Sequence, residues 1–155
     1  MRFTILLFAF TLIYCSKNEY SSPYGYDNIR MYEYNKKPWD NDAMYNKIYN
    51  SSNLSNDDKK LYYQIEKLNF NLKESFKSNL KVDSVFFKTK YREYRHKPNC
   101  PAGYNRILLL FKKSELKYAV KFSEYCDQCF LINFTTNKIH FLKIGYKDFL
   151  KLTKK

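Results

Sequence analysis

The sequence predicts an α+β domain in which one long helix packs on a four- to five-stranded antiparallel sheet. Between residues 55 and 79, apolar side chains recur at intervals of three and four, the period of an amphipathic helix. After residue 80 the period changes to two, and short alternating segments are separated by turn-forming residues. A helix followed by consecutive hairpins is typical of α+β architecture, with the helix covering one sheet face.

The helix is marked both at its start and along one side. Ser55 precedes Asp57 and Asp58, an order that resembles a capping box and puts acidic groups at the positive end of the helix dipole. We expect its apolar stripe to face the core. The stripe comprises Leu61, Ile65, Leu68, Leu72 and Phe76.

The strands are predicted in order along the rest of the chain. A strand is predicted over residues 85–91, where one set of alternate side chains is Val85, Phe87, Thr89 and Tyr91 and the other is Phe86, Lys88, Lys90 and Arg92. Residues 107–111 form an apolar run typical of a fully buried strand. Shorter alternating segments follow at 118–122, 130–134 and 139–141, with breaks between them. Their close spacing indicates antiparallel hairpins.

Residues 1–16 have the composition of a signal peptide. Arg2 precedes an apolar run of about twelve residues that ends before Lys17, which is short of the roughly 20 residues that a membrane-spanning helix needs. We therefore expect a secreted protein with no transmembrane span in the mature chain. An alternative stays open, because the residues before Cys15 loosely resemble a lipobox: a small bacterial lipoprotein, membrane-anchored through Cys15.

Charge divides the remaining chain into two regions. Residues 17–54 read as a weakly ordered arm that can include a short helix, and residues 55–155 as a basic α+β domain. Residues 59–155 carry 22 Lys and Arg against eight Asp and Glu, a net charge of +14. Such an excess favours a polyanionic partner: nucleic acid, acidic lipid or acidic glycan. Because Lys outnumbers Arg 23 to 5 and Arg reads phosphate better, a merely solubilising surface is the alternative. The predicted basic patch comprises Lys88, Lys90, Arg92, Lys117 and Lys121.

The cysteines predict one disulfide. Once Cys15 is removed or lipidated, Cys100, Cys126 and Cys129 remain, and in an exported chain we expect Cys100 to pair with Cys126 or Cys129. Closing that loop contributes about 3 kcal/mol by chain entropy. Redox and zinc half-sites share the spacing of Cys126 and Cys129, but this pair lies between predicted strands rather than at a helix start. We expect no metal and no cofactor.

One motif resembles a known family. Pro101-Ala-Gly103-Tyr-Asn105-Arg106 leads into the apolar strand, and Glu93-Tyr94 precedes it, after a long predicted helix. This order resembles the small secreted guanyl-specific ribonucleases of fungi. The resemblance implies that Glu93 and Arg106, the general base and the transition-state-stabilising arginine of that family, form a vestigial phosphate site.

The family's catalytic histidines have no counterpart here. One falls near Lys121, and residues 76–92 contain no histidine. General acid–base catalysis needs a proton donor for the leaving oxygen. The chain therefore looks most like the ribonuclease-like secreted effectors of powdery mildew fungi, which keep the fold without the catalytic set. That resemblance implies a secreted, non-catalytic basic protein acting on a host protein or RNA.

Export makes the first testable prediction. We expect the mature protein to begin at Ser16 or Lys17, because the apolar run ends there and the chain turns polar. Mass spectrometry of the mature N-terminus checks this. A diacylglyceryl group on Cys15 would establish the lipoprotein alternative, and an intact Met1 on cytosolic protein would contradict both.

Overall fold

A computed structural model of the chain describes residues 20–35, 56–89, 105–123 and 127–144, together with Asp148 and Leu150. Six strands form one antiparallel sheet in the order β2-β1-β3-β4-β5-β6. None of the helices within these ranges is long and apolar enough to cross a membrane. In chain order the elements are β1 (Asn28–Tyr34), α1 (Asn56–Tyr63), a 3₁₀ helix (Ile65–Leu68), β2 (Phe70–Lys77), α2 (Leu80–Phe86), β3 (Arg106–Lys112), β4 (Glu115–Ser123), β5 (Gln128–Asn133) and β6 (Lys138–Leu142).

The prediction of one long helix on a four- to five-stranded sheet is wrong. The described residues form mostly antiparallel sheet with two short α-helices, which is closer to an all-β than to an α+β fold. The helical path ends at Asn69, whose φ of 62° lies in the left-handed region. Asparagine tolerates that region better than most residues, and a helix cannot continue through it. The chain beyond Asn69 runs on as β2 instead.

A bulge in β2 separates the last two residues of the predicted apolar stripe. Leu72 pairs with Tyr32, but the next residue of β1, Met31, pairs with Glu74, so that Lys73 is an extra residue. The bulge places Leu72 and Phe76 on opposite faces of the sheet, although they are four residues apart. Two residues that would share one side of a helix therefore lie on different faces of the sheet.

The strand predicted over residues 85–91 is also wrong in its first part. Residues 80–86 form α2, and the Asn79 side chain caps its start by accepting a hydrogen bond from the Val82 N–H at 2.9 Å. Val82 and Phe86, one helical turn apart, are both buried. Their packing against the sheet overrides the local alternation that favoured a strand.

Some of the other predictions are correct, and some concern residues outside the described ranges. Strands β3 to β6 lie where the alternation placed them. The start of the polar segment is not only an arm, because residues 28–34 form β1, paired with β2 on one side and β3 on the other. The signal peptide and the short helix within residues 17–54 lie outside the described residues, and the domain boundaries stay a prediction.

Strand β3 is buried on both of its faces. Ile107, Leu109 and Phe111 belong to a core covered by α1 and the 3₁₀ helix, and we call this side the α1 face. Leu108 and Leu110 belong to a second core on the opposite side, the α2 face, which α2 covers. A strand with two covered faces requires an uninterrupted apolar run, which is the pattern seen in the sequence.

A buried carboxyl group joins α2 to the segment before β1. Asp83 is fully buried and accepts hydrogen bonds from the hydroxyl groups of Tyr20, Tyr26 and Ser22, the last at 2.9 Å. The hydrogen bond to Asp83 raises the pKa of Tyr20 to about 12. Burial, and then the hydrogen bond to Asp83, raise the pKa of Tyr26. Three hydroxyl donors converge on one carboxyl and hold residues 20–26 against the α2 face.

Stacked aromatic rings reinforce that attachment. The Tyr24 ring stacks on Phe87 with centroids 4.1 Å apart, and Phe87 meets the Tyr118 ring edge-on at 4.9 Å. The Tyr118 hydroxyl donates to the Tyr24 carbonyl oxygen at 3.0 Å. The segment before β1 is therefore tied to α2 and to β4 at once.

We expect Asp83→Asn to lower the free energy of unfolding by about 2–3 kcal/mol, because hydrogen bonds to a charged acceptor are stronger than those to an amide oxygen. Urea denaturation measures the change. Ser84→Ala is the matched control, since Ser84 lies next to Asp83 on α2 but is exposed, and it should cost less than about 0.5 kcal/mol. Equal effects of the two substitutions would contradict the role given to Asp83.

Stability should also fall at high pH. The unfolded state loses its Tyr20 proton near the ordinary pKa of 10.0, whereas the folded state holds it until about 12, so the unfolded state binds fewer protons between those values. The contribution of Tyr20 is complete below pH 10 and is lost as the pH rises through 12, and Tyr26 acts in the same direction. Unfolding free energies of the wild type and Tyr20→Phe, compared from about pH 9 to about pH 11, check this. An unchanged slope in the variant would contradict it.

Candidate nucleic-acid interface

Antiparallel pairing brings several distant segments to one end of the sheet. Asn28, the first residue of β1, lies opposite Lys77 in β2 and Phe111 in β3. Lys112 and Glu115 face each other across the turn that joins β3 to β4. The start of β6 lies at the same end, because Lys138 pairs with the last residue of β5. We call this edge, with the adjoining end of α1, the hairpin end.

Cationic side chains predominate at the hairpin end. Within the part of the chain that the structure describes, they are Arg30, Lys59, Lys77, Lys112, Lys113, Lys117 and Lys138. The neighbouring carboxylates include Asp27 and Glu115 near the β3–β4 turn, and Glu66, which accepts a hydrogen bond from the Tyr32 hydroxyl beside Arg30. Such an excess of one sign of charge creates a positive potential that attracts anions.

The two carboxylates near the β3–β4 turn are engaged in contacts within the hairpin end. Each Asp27 carboxylate oxygen accepts from the Lys113 backbone N–H at 3.1 Å, and the Lys112 ammonium is 4.0 Å away. Glu115 lies 2.7 Å from the Lys117 ammonium, and the hydrogen bond from Lys117 lowers the pKa of Glu115, with a further contribution from the charge of Lys59. These contacts order the turn, and they neutralise only part of the local positive charge.

Aromatic rings lie among the cations. Half of the Tyr63 surface is exposed, and the Tyr63 hydroxyl oxygen accepts a hydrogen bond from the Leu116 N–H at 2.8 Å. The guanidinium carbon of Arg30 is 4.8 Å from the centre of the Phe111 ring. The Lys59 ammonium is 5.8 Å from the Phe134 ring. Phe111 and Phe134 are buried, so of these three rings Tyr63 is the exposed one. An exposed ring beside cations is the combination that binds bases and phosphates of single-stranded nucleic acid.

A shallow cleft of about 360 Å³ adjoins this surface. It is lined by Tyr20, Ser21, Asp27, Asn28, Lys77 and Ser78. The Oδ1 atom of Asn28 is buried there and has no hydrogen-bond partner among the described residues. The cleft thus combines a cation with an acceptor that a hydroxyl or amine of a ligand can satisfy.

The described members of the predicted basic patch are not brought together. Lys117 belongs to the hairpin end. Lys88 is exposed but follows α2, which covers the other face of the sheet. Lys121 is only 3% exposed and lies on the α1 face opposite Ile107 and Phe130, with its ammonium 5.9 Å from the Phe130 ring. Lys90 and Arg92 lie outside the described residues.

Sequence reasoning did not identify most of the hairpin end. Lys112 and Lys113 carried a usable signal, since two adjacent lysines occupy the break between two predicted strands. No sequence pattern indicated that Arg30 and Lys59 belong to this site, because the strands that pair or pack with their segments are remote in sequence. Tyr63 is adjacent to the buried Tyr62, and only the folded structure shows which of the two is exposed.

Of the two residues of the predicted phosphate site, Glu93 and Arg106, the structure describes Arg106. Its guanidinium donates to Glu33 at 3.1 Å, and the second Glu33 carboxylate oxygen is 3.3 Å from the Lys73 ammonium. Arg106 begins β3 at the end of the sheet opposite the hairpin end. Glu93 lies outside the described residues, so its pairing with Arg106 stays a prediction.

Among the cysteines, the structure describes Cys129. Its side chain is buried on the α2 face, between Phe122 and Leu142 of the neighbouring strands. Cys15, Cys100 and Cys126 lie outside the described residues, and the disulfide of Cys100 with Cys126 or Cys129 stays a prediction. Within the described ranges, no three His, Cys, Asp or Glu residues are grouped so that they could hold a metal ion.

Comparison with known proteins adds no family. No family model, no curated protein and no solved structure matches the chain.

Proposed function

We propose that this chain is a secreted, non-catalytic basic protein that binds RNA at the hairpin end, as an effector acting on host RNA would. The cluster of cations around the β3–β4 turn is the observation that carries the proposal. Five segments that are far apart in sequence contribute a cation each or more. Asp27 and Glu115, the described carboxylates near the turn, are already in contact with lysines or with the turn backbone.

Electrostatics make a polyanion the best partner for this surface. Each phosphate that a lysine neutralises releases condensed counterions, so that affinity depends steeply on salt. Lysine ammonium groups on flexible side chains suit the phosphate backbone, which carries no sequence information. A host protein with an acidic surface is the second partner class, and the same cations would bind it.

The residues near the expected catalytic positions support binding rather than turnover. Arg106 is held by Glu33, and Lys121 stands buried near the place where the ribonuclease family has its histidine acid. The resemblance to ribonuclease-like effectors and the vestigial site formed by Glu93 and Arg106 belong to this proposal. The lipoprotein anchored through Cys15 is the alternative, and it leaves the basic surface unchanged.

We expect single-stranded RNA to bind at low salt and to lose affinity by a factor of tens between about 50 and about 200 mM salt. The double variant Lys112→Gln, Lys113→Gln should reduce the slope of log affinity against log salt by about 0.7 for each lysine that contacts a phosphate. The matched control is Lys67→Gln, Lys88→Gln, which removes two exposed lysines remote from the hairpin end. Fluorescence anisotropy at several salt concentrations measures all three proteins.

Three outcomes would contradict the proposal. A flat salt response, or no binding at low salt, would leave the lysines as a solubilising surface. An equal loss in the control variant would remove the hairpin end as the site. RNA cleavage that Glu93→Gln abolishes would establish an enzyme.

A further inference from the structure

We infer that the hairpin end selects single-stranded over double-stranded RNA, because the Tyr63 ring stacks on an unpaired base. This inference rests on the proposed function and adds the form of the ligand. Lysines alone attract any polyanion, whereas an aromatic platform requires a base whose face is free.

Tyr63 is held in place and yet exposed. It is the last residue of α1, and its neighbour Tyr62 is 1% exposed while Tyr63 is 50% exposed. The hydrogen bond from the Leu116 N–H to the Tyr63 hydroxyl oxygen fixes the far end of the ring at the β3–β4 hairpin. A ring that is already ordered loses little conformational entropy when a base stacks on it.

A bulge in β4 sets this geometry. Leu110 pairs with Tyr118, but Phe111 pairs with Leu116, so that Lys117 is an extra residue in β4. Bulges change the direction of the side chains near them. Here the bulge lies next to the Leu116 amide that holds Tyr63, and it carries the lysine that contacts Glu115.

Cations lie near both rings of the Tyr63–Phe111 pair. Lys59 precedes Tyr63 by four residues on α1, which places the two side chains on the same side of the helix. The Phe111 ring is 6.4 Å from the Tyr63 ring, and Arg30 lies over the far part of that pair at 4.8 Å from Phe111. A base stacked on Tyr63 would have cations within reach of the phosphates on either side of it.

Duplex RNA cannot use this arrangement. Its bases are stacked within the helix and present only their edges, and its two strands carry a higher charge density than one strand. A surface that worked by charge alone would therefore bind the duplex at least as well as the single strand. A hairpin end that binds single-stranded RNA more tightly than duplex RNA would therefore indicate base stacking.

The test uses the full mature protein and three probes: a single-stranded RNA of about ten nucleotides, a blunt duplex of the same length, and inorganic polyphosphate. We expect the wild type to bind the single strand more tightly than the duplex. Tyr63→Leu should weaken single-strand binding about tenfold and leave duplex and polyphosphate binding unchanged. Tyr63→Phe keeps the ring and should retain most of the single-strand affinity.

A spectroscopic measurement on the wild type makes the test independent of the variants' folding. We expect the fluorescence of 2-aminopurine in the single strand to be quenched on binding, because stacking on Tyr63 quenches it. Tighter binding of the duplex by the wild type, no quenching, or an equal loss for all three probes in Tyr63→Leu would overturn the inference. The wild type would still bind polyphosphate in a salt-dependent way in each of these cases, whereas the absence of that binding would overturn the proposed function itself.

Discussion

The burial of β3 on both faces is the constraint on which the other elements depend. Its five central residues are at most 5% exposed, and each face needs its own apolar cover. Removing such a side chain typically costs 2–5 kcal/mol when a cavity remains. α1 and the 3₁₀ helix cover one face of β3, and α2 covers the other. One long helix could have covered only a single face. The flanking strands β1 and β4 then satisfy the backbone groups of β3 on either side.

The same constraint assembles the hairpin end. Once β1 pairs with β3, Asn28 must lie beside Phe111, and Arg30 must lie one pleat further along. Once α1 covers Phe111 and Leu116, it brings Lys59 and Tyr63, which lie one turn apart, to the β3–β4 hairpin. The cations and the exposed ring are therefore gathered by packing that serves the core. On the α2 face, the hydrogen bonds to Asp83 fix the segment that lines the adjoining cleft.

Short-range patterns predicted strands well and helices poorly in this chain. Strands β3 to β6 alternate or run apolar over their whole length, and their breaks carry turn-forming residues, so their identity is local. The stripe from Leu61 to Phe76 is helical only in its first part, because Asn69 adopts a left-handed conformation and the chain continues as β2. The bulge at Lys73 then places Leu72 and Phe76 on opposite faces of the sheet. No local pattern distinguishes a bulged strand from a helix with the same apolar spacing. In α2, the packing of Val82 and Phe86 outweighs the alternation that begins at Val85.

The sequence by itself determined the basic charge of the domain, the buried character of β3 and the existence of the hairpins that follow it. It also placed one residue of the site, Lys117, within a basic patch. Only the tertiary structure decided that β1 joins the sheet, that Lys121 is buried while Lys112 is exposed, and that Tyr63 rather than Tyr62 is exposed. The physical reason is that periodicity records which side of a segment is apolar, whereas exposure depends on which remote segment covers it. Strand pairing and helix packing join segments that are remote in sequence, and the residues of the hairpin end come together only when those contacts form.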